Sequence, residues 1–199
     1  DSLKTVKSKY DIIYFGDVLE HLVNPSAALA KIKSLLKPDG RVLFSIPNMA
    51  HVAIRLLLLK GDFEYTETGL LDKTHLHFYT LEEIYTLFRE AGYEIDYMDF
   101  VEKDYPKPLI QKWIAGIGLT ANKQFFEAMS KPDAAAFQFV GTAVAAKANI
   151  KVKRKQFGPI DLFDSYHTNI TNDLKQEVMA LKKDNEDLNH KYQLLLNRW

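Results

Sequence analysis

The apolar positions in the first part of the chain alternate between two periods, and these predict alternating strands and helices. Residues 10–16, "YDIIYFG", form a continuous β-rich run that is typical of a buried strand in a parallel sheet. "NPSAALAKIKSLLKPDG" has helical spacing, with Asn24 at the N-cap, Pro25 at the first helical position and "KPDG" as its end. Residues 41–46 are the next strand. The two strands and the helix between them together predict a right-handed crossover that joins two parallel strands.

The same pattern continues with less regular spacing through residue 147. "MAHVAIRLLLLKG" predicts a helix, and a loop rich in polar and aromatic residues follows it. Thr80 and Glu83 form a capping box that opens "LEEIYTLFREAG". "YEIDYMDFVE" predicts a strand, 106–130 one or two amphipathic helices, and 137–147 the last strand.

The C-terminal region has a different pattern, a seven-residue repeat. Four leucines recur every seven residues: Leu174, Leu181, Leu188 and Leu195. A second set follows each leucine by four positions: Val178, Asn185, Tyr192 and Trp199. This predicts a coiled coil that makes a homodimer through residues 171–199. The alternative is an amphipathic helix that folds back on its own domain. We therefore divide the chain into a domain (1–147), a linker (148–165) and a coiled-coil helix (166–199).

Composition excludes several classes of function. Lys and Arg number 26, as do Asp and Glu, so the net charge is zero and no basic field favours nucleic acid. Cysteine is absent, which excludes a disulfide scaffold and a thiol nucleophile and suits a cytoplasmic location. The longest apolar stretch, "VAIRLLLLKG", is too short for a membrane span, which takes about 20 residues.

Candidate chemistry follows the ends of the predicted strands. Ligands of open parallel sheets bind beyond the carboxyl ends of the strands. "GDVLEHL" and "SIPNMAH" leave such ends, and the loop "LLDKTHLHFYT" is dense in polar groups. Among these residues His21 is the best candidate general base, because imidazole exchanges protons near neutral pH.

These motifs resemble a known family. "YDIIYFGDVLEHLVNPSAALAKIKSLLKPDGRVLFSIPN" is similar to the second half of a class I S-adenosylmethionine-dependent methyltransferase, through its "LEH", "KPDG" and "PN" segments. "GDFEYTETGLLDKTHLHFYT" resembles a loop of one subfamily, often linked to bacterial surface-polysaccharide biosynthesis. The resemblance covers residues 8–147 and implies an α/β fold: a partial Rossmann-like sheet of strands 4-5-7-6, the last strand in sequence antiparallel.

The resemblance also implies roles for particular residues. We expect acid–base catalysis by His21 with help from Glu20. The expected cofactor contacts are Phe15, Gly16 and Asp17, and the expected acceptor contacts are His75, His77 and Arg55. Each also has a structural reading: capping or turn roles for residues 16–21, and packing or an ion pair for Arg55.

A metal site is the alternative for the histidines. His75 and His77 form an H-x-H pair that could join Glu20 or His21. Methyl transfer from a sulfonium needs no metal, because the leaving thioether is neutral and the reaction depends mainly on positioning. We therefore expect no metal.

The sequence thus predicts methyl transfer from S-adenosylmethionine to a hydroxyl of a sugar, glycan precursor or other small molecule. An N- or C-methyltransferase is a second enzymatic possibility. The alternative from another class is a non-catalytic, dimerising scaffold module of a glycan-biosynthesis protein.

Cofactor binding gives the first testable prediction. The family's glycine-rich loop, acidic-x-Gly-x-Gly-x-Gly, has no counterpart among the nine glycines of the chain. We expect the 199-residue chain to be an inactive fragment that binds S-adenosylmethionine poorly, because this loop grips the cofactor in the family. Isothermal titration with the cofactor tests this, and a micromolar Kd would contradict it.

Overall fold

The computed structural model describes residues 6, 8–103 and 105–146 of the chain. The predicted linker at 148–165 and the predicted coiled coil at 166–199 lie outside the described residues. Within the described part, no helix is long and apolar enough to cross a membrane.

The described residues form a four-stranded mixed sheet with helices between the strands. The strands are β1 (Tyr10–Gly16), β2 (Leu36–Pro47), β3 (Tyr93–Glu102) and β4 (Ala136–Ala145). The helices are α1 (Pro25–Ile32), α2 (Val52–Leu59), α3 (Leu81–Glu90), α4 (Lys107–Ala115), α5 (Lys123–Met129) and α6 (Pro132–Ala135). Short 3-10 turns lie at Leu19–His21 and Lys33–Leu35.

The strand order is β1-β2-β4-β3. β1 and β2 are parallel, with Gly16 opposite Ser45, and β4 runs antiparallel to both β2 and β3. This is the order and direction expected for the four strands from the sequence resemblance. Their identity as strands 4 to 7 of a larger sheet stays a prediction.

Local signals placed most element ends correctly. Asn24 caps α1 by accepting the backbone N–H of Ala27 at 2.9 Å, and Thr80 caps α3 by accepting that of Glu83 at 3.4 Å. One boundary differs: α1 ends at Ile32, and β2 begins well before the predicted residue 41. The chain at Gly40 passes so close to β1 that an added Cβ would lie 2.8 Å from the Tyr10 carbonyl oxygen.

The main core lies on the sheet face that α1 and α3 cover. Phe44 of β2 packs on Phe88 of α3, with ring centroids 4.4 Å apart, and Phe139 of β4 is fully buried in the same cluster. Burial of such rings is the dominant favourable contribution to folding. The core therefore fixes β2 and β4 relative to α3.

The prediction that β1 is a buried strand was wrong. Tyr10, Ile12 and Tyr14 are 42%, 61% and 65% exposed, although Ile13 and Phe15 pack against the core. β1 is the edge strand of the described sheet and pairs only with β2 there. A continuous apolar run does not distinguish a strand covered on both faces from one whose second face is bare.

Buried His51 supplies a structural polar contact at the start of α2. Its Nδ1 accepts the backbone N–H of Ala53 at 3.3 Å, and its Nε2 lies 3.3 Å from the carbonyl oxygen of Lys103. A carbonyl can only accept, so Nε2 carries the hydrogen and the ring is neutral. Burial lowers the pKa of His51 to about 4.

The low pKa of His51 predicts that acid destabilises the fold. Its pKa in the fold lies below the ordinary 6.5. Its contribution to stability is therefore present above about pH 6.5 and is lost as pH falls through about 4. We expect His51→Asn to lower the free energy of unfolding at pH 7.5, and the deficit relative to wild type to shrink between pH 6.5 and 4.5.

Urea unfolding at a series of pH values measures this difference. Titrations common to both chains cancel in the comparison. His77→Asn, at a half-exposed position, is the matched control and should leave the pH dependence unchanged. A deficit for His51→Asn that is constant from pH 7.5 to 4.5 would contradict the buried neutral ring.

Candidate functional site

Asp17 turns the chain sharply at the carboxyl end of β1. Its φ is 50°, in the left-handed region that Asp tolerates better than most side chains. Its backbone N–H donates to the Ser45 hydroxyl at 3.1 Å, and its carboxylate accepts hydrogen bonds from Ser45 and Gln138. Contacts from β2 and β4 therefore hold the carboxylate in one place.

Gly16 and Phe15, the other predicted cofactor contacts, have different surroundings. The Tyr14 ring fills the space beside Gly16, where an added Cβ would lie 2.0 Å from the phenol oxygen. Phe15 packs against the main core. Of the three predicted cofactor contacts, Asp17 is the one that lines the cavity described below.

Glu20 follows on the 3-10 turn and is only 1% exposed. Neither of its carboxylate oxygens has a hydrogen-bond partner among the described residues. Burial raises the pKa of Glu20 to about 7, and the negative charge of Asp17 adds to this effect. Such a group gains from a proton, a cation or a hydrogen-bond donor that the described residues do not supply.

The backbone of Glu20 fixes the polar loop over the turn. Its carbonyl oxygen accepts the N–H groups of Leu76 at 2.8 Å and His77 at 3.1 Å. These two bonds bring together segments more than 50 residues apart. They place His75 beside His21, with ring centroids 4.8 Å apart.

His21 has a defined tautomer. Its Nδ1 lies 3.1 Å from the carbonyl oxygen of Thr74, so Nδ1 carries a hydrogen, and in the neutral ring the lone pair is on Nε2. Thr74 is held in turn by Asp72, whose carboxylate accepts its backbone N–H at 2.8 Å and its hydroxyl at 2.6 Å. The loop thus orients the imidazole for accepting a proton or a cation at Nε2.

The surroundings of His75 favour its neutral form. Burial lowers the pKa of His75, and the neighbouring His21 lowers it further. The hydrogen bonds from Thr74 lower the pKa of Asp72, so this carboxylate stays ionised. The loop therefore presents a neutral imidazole and a fixed negative charge at the same site.

These residues surround one cavity at the carboxyl ends of β1 and β2. Its volume is about 220 Å³. This is below the roughly 300 to 1,000 Å³ of pockets that enclose a drug-sized ligand, so it has room for part of one. The lining residues are Asp17, Glu20, His21, Pro47, Gly69, Leu70, Asp72, His75, Phe137 and Gln138.

Arg55 and His77, two predicted acceptor contacts, lie outside this lining. Arg55 donates to the Asp133 carboxylate at 2.8 Å and to the Ala50 carbonyl. The His77 ring stacks on Tyr79 with centroids 6.0 Å apart. Their roles toward an acceptor stay predictions.

The roles assigned from the sequence did not include four residues: Ser45, Asp72, Thr74 and Gln138. The first three lie in segments that the strand-end rule marked, and the density of polar groups in the loop pointed to Asp72 and Thr74 without giving either a role. Gln138 carried no signal, because only the register of β4, which places it opposite Pro47, brings it to Asp17.

Comparisons with known proteins find sequence similarity to methyltransferases. Residues 2–97, just under half of the chain, match the family model described as "Methyltransferase domain". A Ubiquinone biosynthesis O-methyltransferase of Cereibacter sphaeroides is 29% identical over 94 residues, 46% of this chain and 37% of that protein. Its namesake from Pasteurella multocida is 36% identical over 55 residues, 28% of this chain and 23% of that protein. The match therefore spans 37% of the length of one of these relatives and 23% of the other.

Two solved structures that partly resemble the chain, with TM-scores below 0.5, are named as methyltransferases. A SAM-dependent methyltransferase from Archaeoglobus fulgidus has 16% identity and a TM-score of 0.45, over 71% of this chain and 62% of that one. Magnesium protoporphyrin IX methyltransferase from Synechocystis, solved with SAH bound, has 17% identity and a TM-score of 0.40, over 73% and 49%.

The family match covers β1, β2 and the turn and loop that carry the charged residues of the cavity. Residues 2–97 are therefore similar in sequence to a methyltransferase domain.

Proposed function

We propose that this chain forms the acceptor side of an S-adenosylmethionine-dependent O-methyltransferase, with His21 as the general base. The observation that carries the proposal is the contact between His21 Nδ1 and the Thr74 carbonyl, which leaves Nε2 as the proton acceptor in a lined cavity. The match of residues 2–97 to a methyltransferase domain supports the reaction class.

The residues present fit part of the cofactor. Asp17 holds a fixed carboxylate at the end of β1, where ligands of parallel sheets bind, but the cavity is too small for a whole nucleoside cofactor. When bound, S-adenosylmethionine supplies an electrophilic methyl group on a sulfonium. The chain's own residues then have two tasks: to align the acceptor hydroxyl and to take its proton.

His21 takes the proton as the new carbon–oxygen bond forms. The hydroxyl oxygen gains the methyl group, the electron pair of the broken carbon–sulfur bond stays on sulfur, and the hydroxyl proton moves to Nε2. Asp72 acts through Thr74 as a positioning residue, because it fixes the loop whose carbonyl holds the imidazole. General-base catalysis of this kind contributes about 10²- to 10⁴-fold in rate.

The acceptor is a small molecule with a hydroxyl. The two relatives described above are named as O-methyltransferases, which favours oxygen over nitrogen or carbon as the acceptor atom. The sugar or glycan acceptor expected from the sequence stays a prediction, as does the scaffold alternative, whose heptad region lies outside the described residues.

Substitution of the base tests the proposal. We expect His21→Gln in the full-length gene product to lower the rate of S-adenosylhomocysteine formation by about 100-fold or more, because the amide of glutamine cannot take the proton of the acceptor hydroxyl. A panel of phenols, catechols and sugars serves as acceptors, and cofactor affinity should change little. Lys73→Gln, in the same loop but paired at the surface with Glu67, is the control. Full activity of His21→Gln would refute the base assignment.

Asp72→Asn tests the positioning role. We expect kcat to fall by about tenfold with KM nearly unchanged, because a loosened Thr74 no longer holds the His21 ring in line. The ¹⁵N shifts of the His21 ring should show a mixture of tautomers instead of one. Asp62→Asn, which removes an exposed carboxylate paired with Lys60, is the matched control. A single unchanged tautomer in Asp72→Asn would contradict the positioning role.

A further inference from the structure

We propose that Glu20, His21 and His75 form a binding site for a first-row divalent cation of the Zn²⁺ type. One ligand atom from each residue lies within 4.8 Å of those of the other two. The inference goes beyond the proposed methyl transfer. A cation on Nε2 of His21 would occupy the lone pair that the proposed general base uses, so the metal-bound state and the base-competent state exclude each other. It also revises the sequence expectation that no metal binds here.

The buried carboxylate is the first argument. Glu20 is 1% exposed, and both its oxygens lack a hydrogen-bond partner among the described residues. Proteins pair buried charges or use them as metal ligands, because an isolated buried carboxylate is costly. A cation between this carboxylate and two imidazoles would remove that cost.

The orientation of His21 is the second argument. A metal-binding histidine characteristically donates its other ring N–H to a carbonyl or carboxylate, which fixes the tautomer and the ring plane. His21 does this through Nδ1 to the Thr74 carbonyl, and the Asp72 carboxylate holds Thr74 in place. The supporting contacts of a metal ligand are therefore already present.

The backbone fixes the third ligand independently of any metal. Leu76 and His77 donate their N–H groups to the carbonyl oxygen of Glu20, so the loop carrying His75 is attached to the residue that supplies the carboxylate. His75 meets His21 edge to face at 4.8 Å between centroids. The His77 ring stacks on Tyr79 instead, and His77 is not one of the three proposed ligands.

The donor set indicates the kind of cation. Two imidazole nitrogens and one carboxylate oxygen are the three protein ligands of several catalytic zinc sites, which keep further positions open. Bonds of about 2.0 to 2.2 Å place tetrahedral ligands roughly 3.4 Å apart, so side-chain rotations would draw the most distant pair together by about 1.4 Å. Hard cations such as Mg²⁺ prefer oxygen ligands and should bind weakly.

The experiment is a Co²⁺ titration of the 199-residue chain, followed by visible absorption and isothermal calorimetry. We expect one Co²⁺ to bind with a low coordination number and to give intense d–d absorption bands. Zn²⁺ should displace the Co²⁺ and remove these bands, whereas excess Mg²⁺ should not. Glu20→Gln and His75→Gln should each weaken binding by about 100-fold. Because Glu20→Gln removes a buried charge, we expect this variant to fold, and circular dichroism checks that it does.

His77→Gln is the matched control, since it lies two residues from His75 but outside the ligand set. It should bind Co²⁺ as the wild type does. Absence of binding at millimolar Co²⁺, or equal affinity in wild type, Glu20→Gln and His75→Gln, would overturn the proposal. The titration contains neither cofactor nor acceptor, so its failure leaves the O-methyltransferase proposal standing.

Discussion

The carbonyl oxygen of Glu20 is the point on which the candidate site depends. It accepts two backbone N–H groups from the loop that follows α2, and these bonds bring the loop onto the turn after β1. Together with the hydrogen bond between His21 and the Thr74 carbonyl, they fix His75, Thr74 and Asp72 relative to His21. The parallel register of β1 and β2 then adds Ser45 to the same edge. One residue therefore organises the site through its backbone and supplies it with a buried acid through its side chain.

The electrostatics of the site follow from this double role. The turn that exposes the Glu20 carbonyl to the loop also buries its carboxylate beside Asp17, which is why its pKa rises to about 7. His75 is partly desolvated by the same packing. Proteins commonly place perturbed titratable groups where chemistry occurs. Here the perturbation has an identifiable cause, the closure of one loop over one turn.

Local signals predicted the elements, whereas long-range contacts decided the site. Asn24, Thr80 and the "YEIDYMDFVE" run marked element ends because capping and strand patterns are properties of neighbouring residues. Gln138 could not be found in this way, since only strand register brings it to Asp17. The burial of Glu20 and the exposure of β1 were equally hidden, because both depend on which faces other elements cover.

The backbone of Asp17 has a consequence for how this site can change over generations. Its φ of 50° suits glycine and asparagine as well as aspartate, while β-branched residues would be strained there. Replacement of the carboxylate by an amide, or its loss, therefore adds no backbone strain. An amide there removes the charge and keeps an oxygen that accepts from Ser45 and Gln138, so descendants of one ancestor can differ in charge at the end of β1 while keeping the same turn.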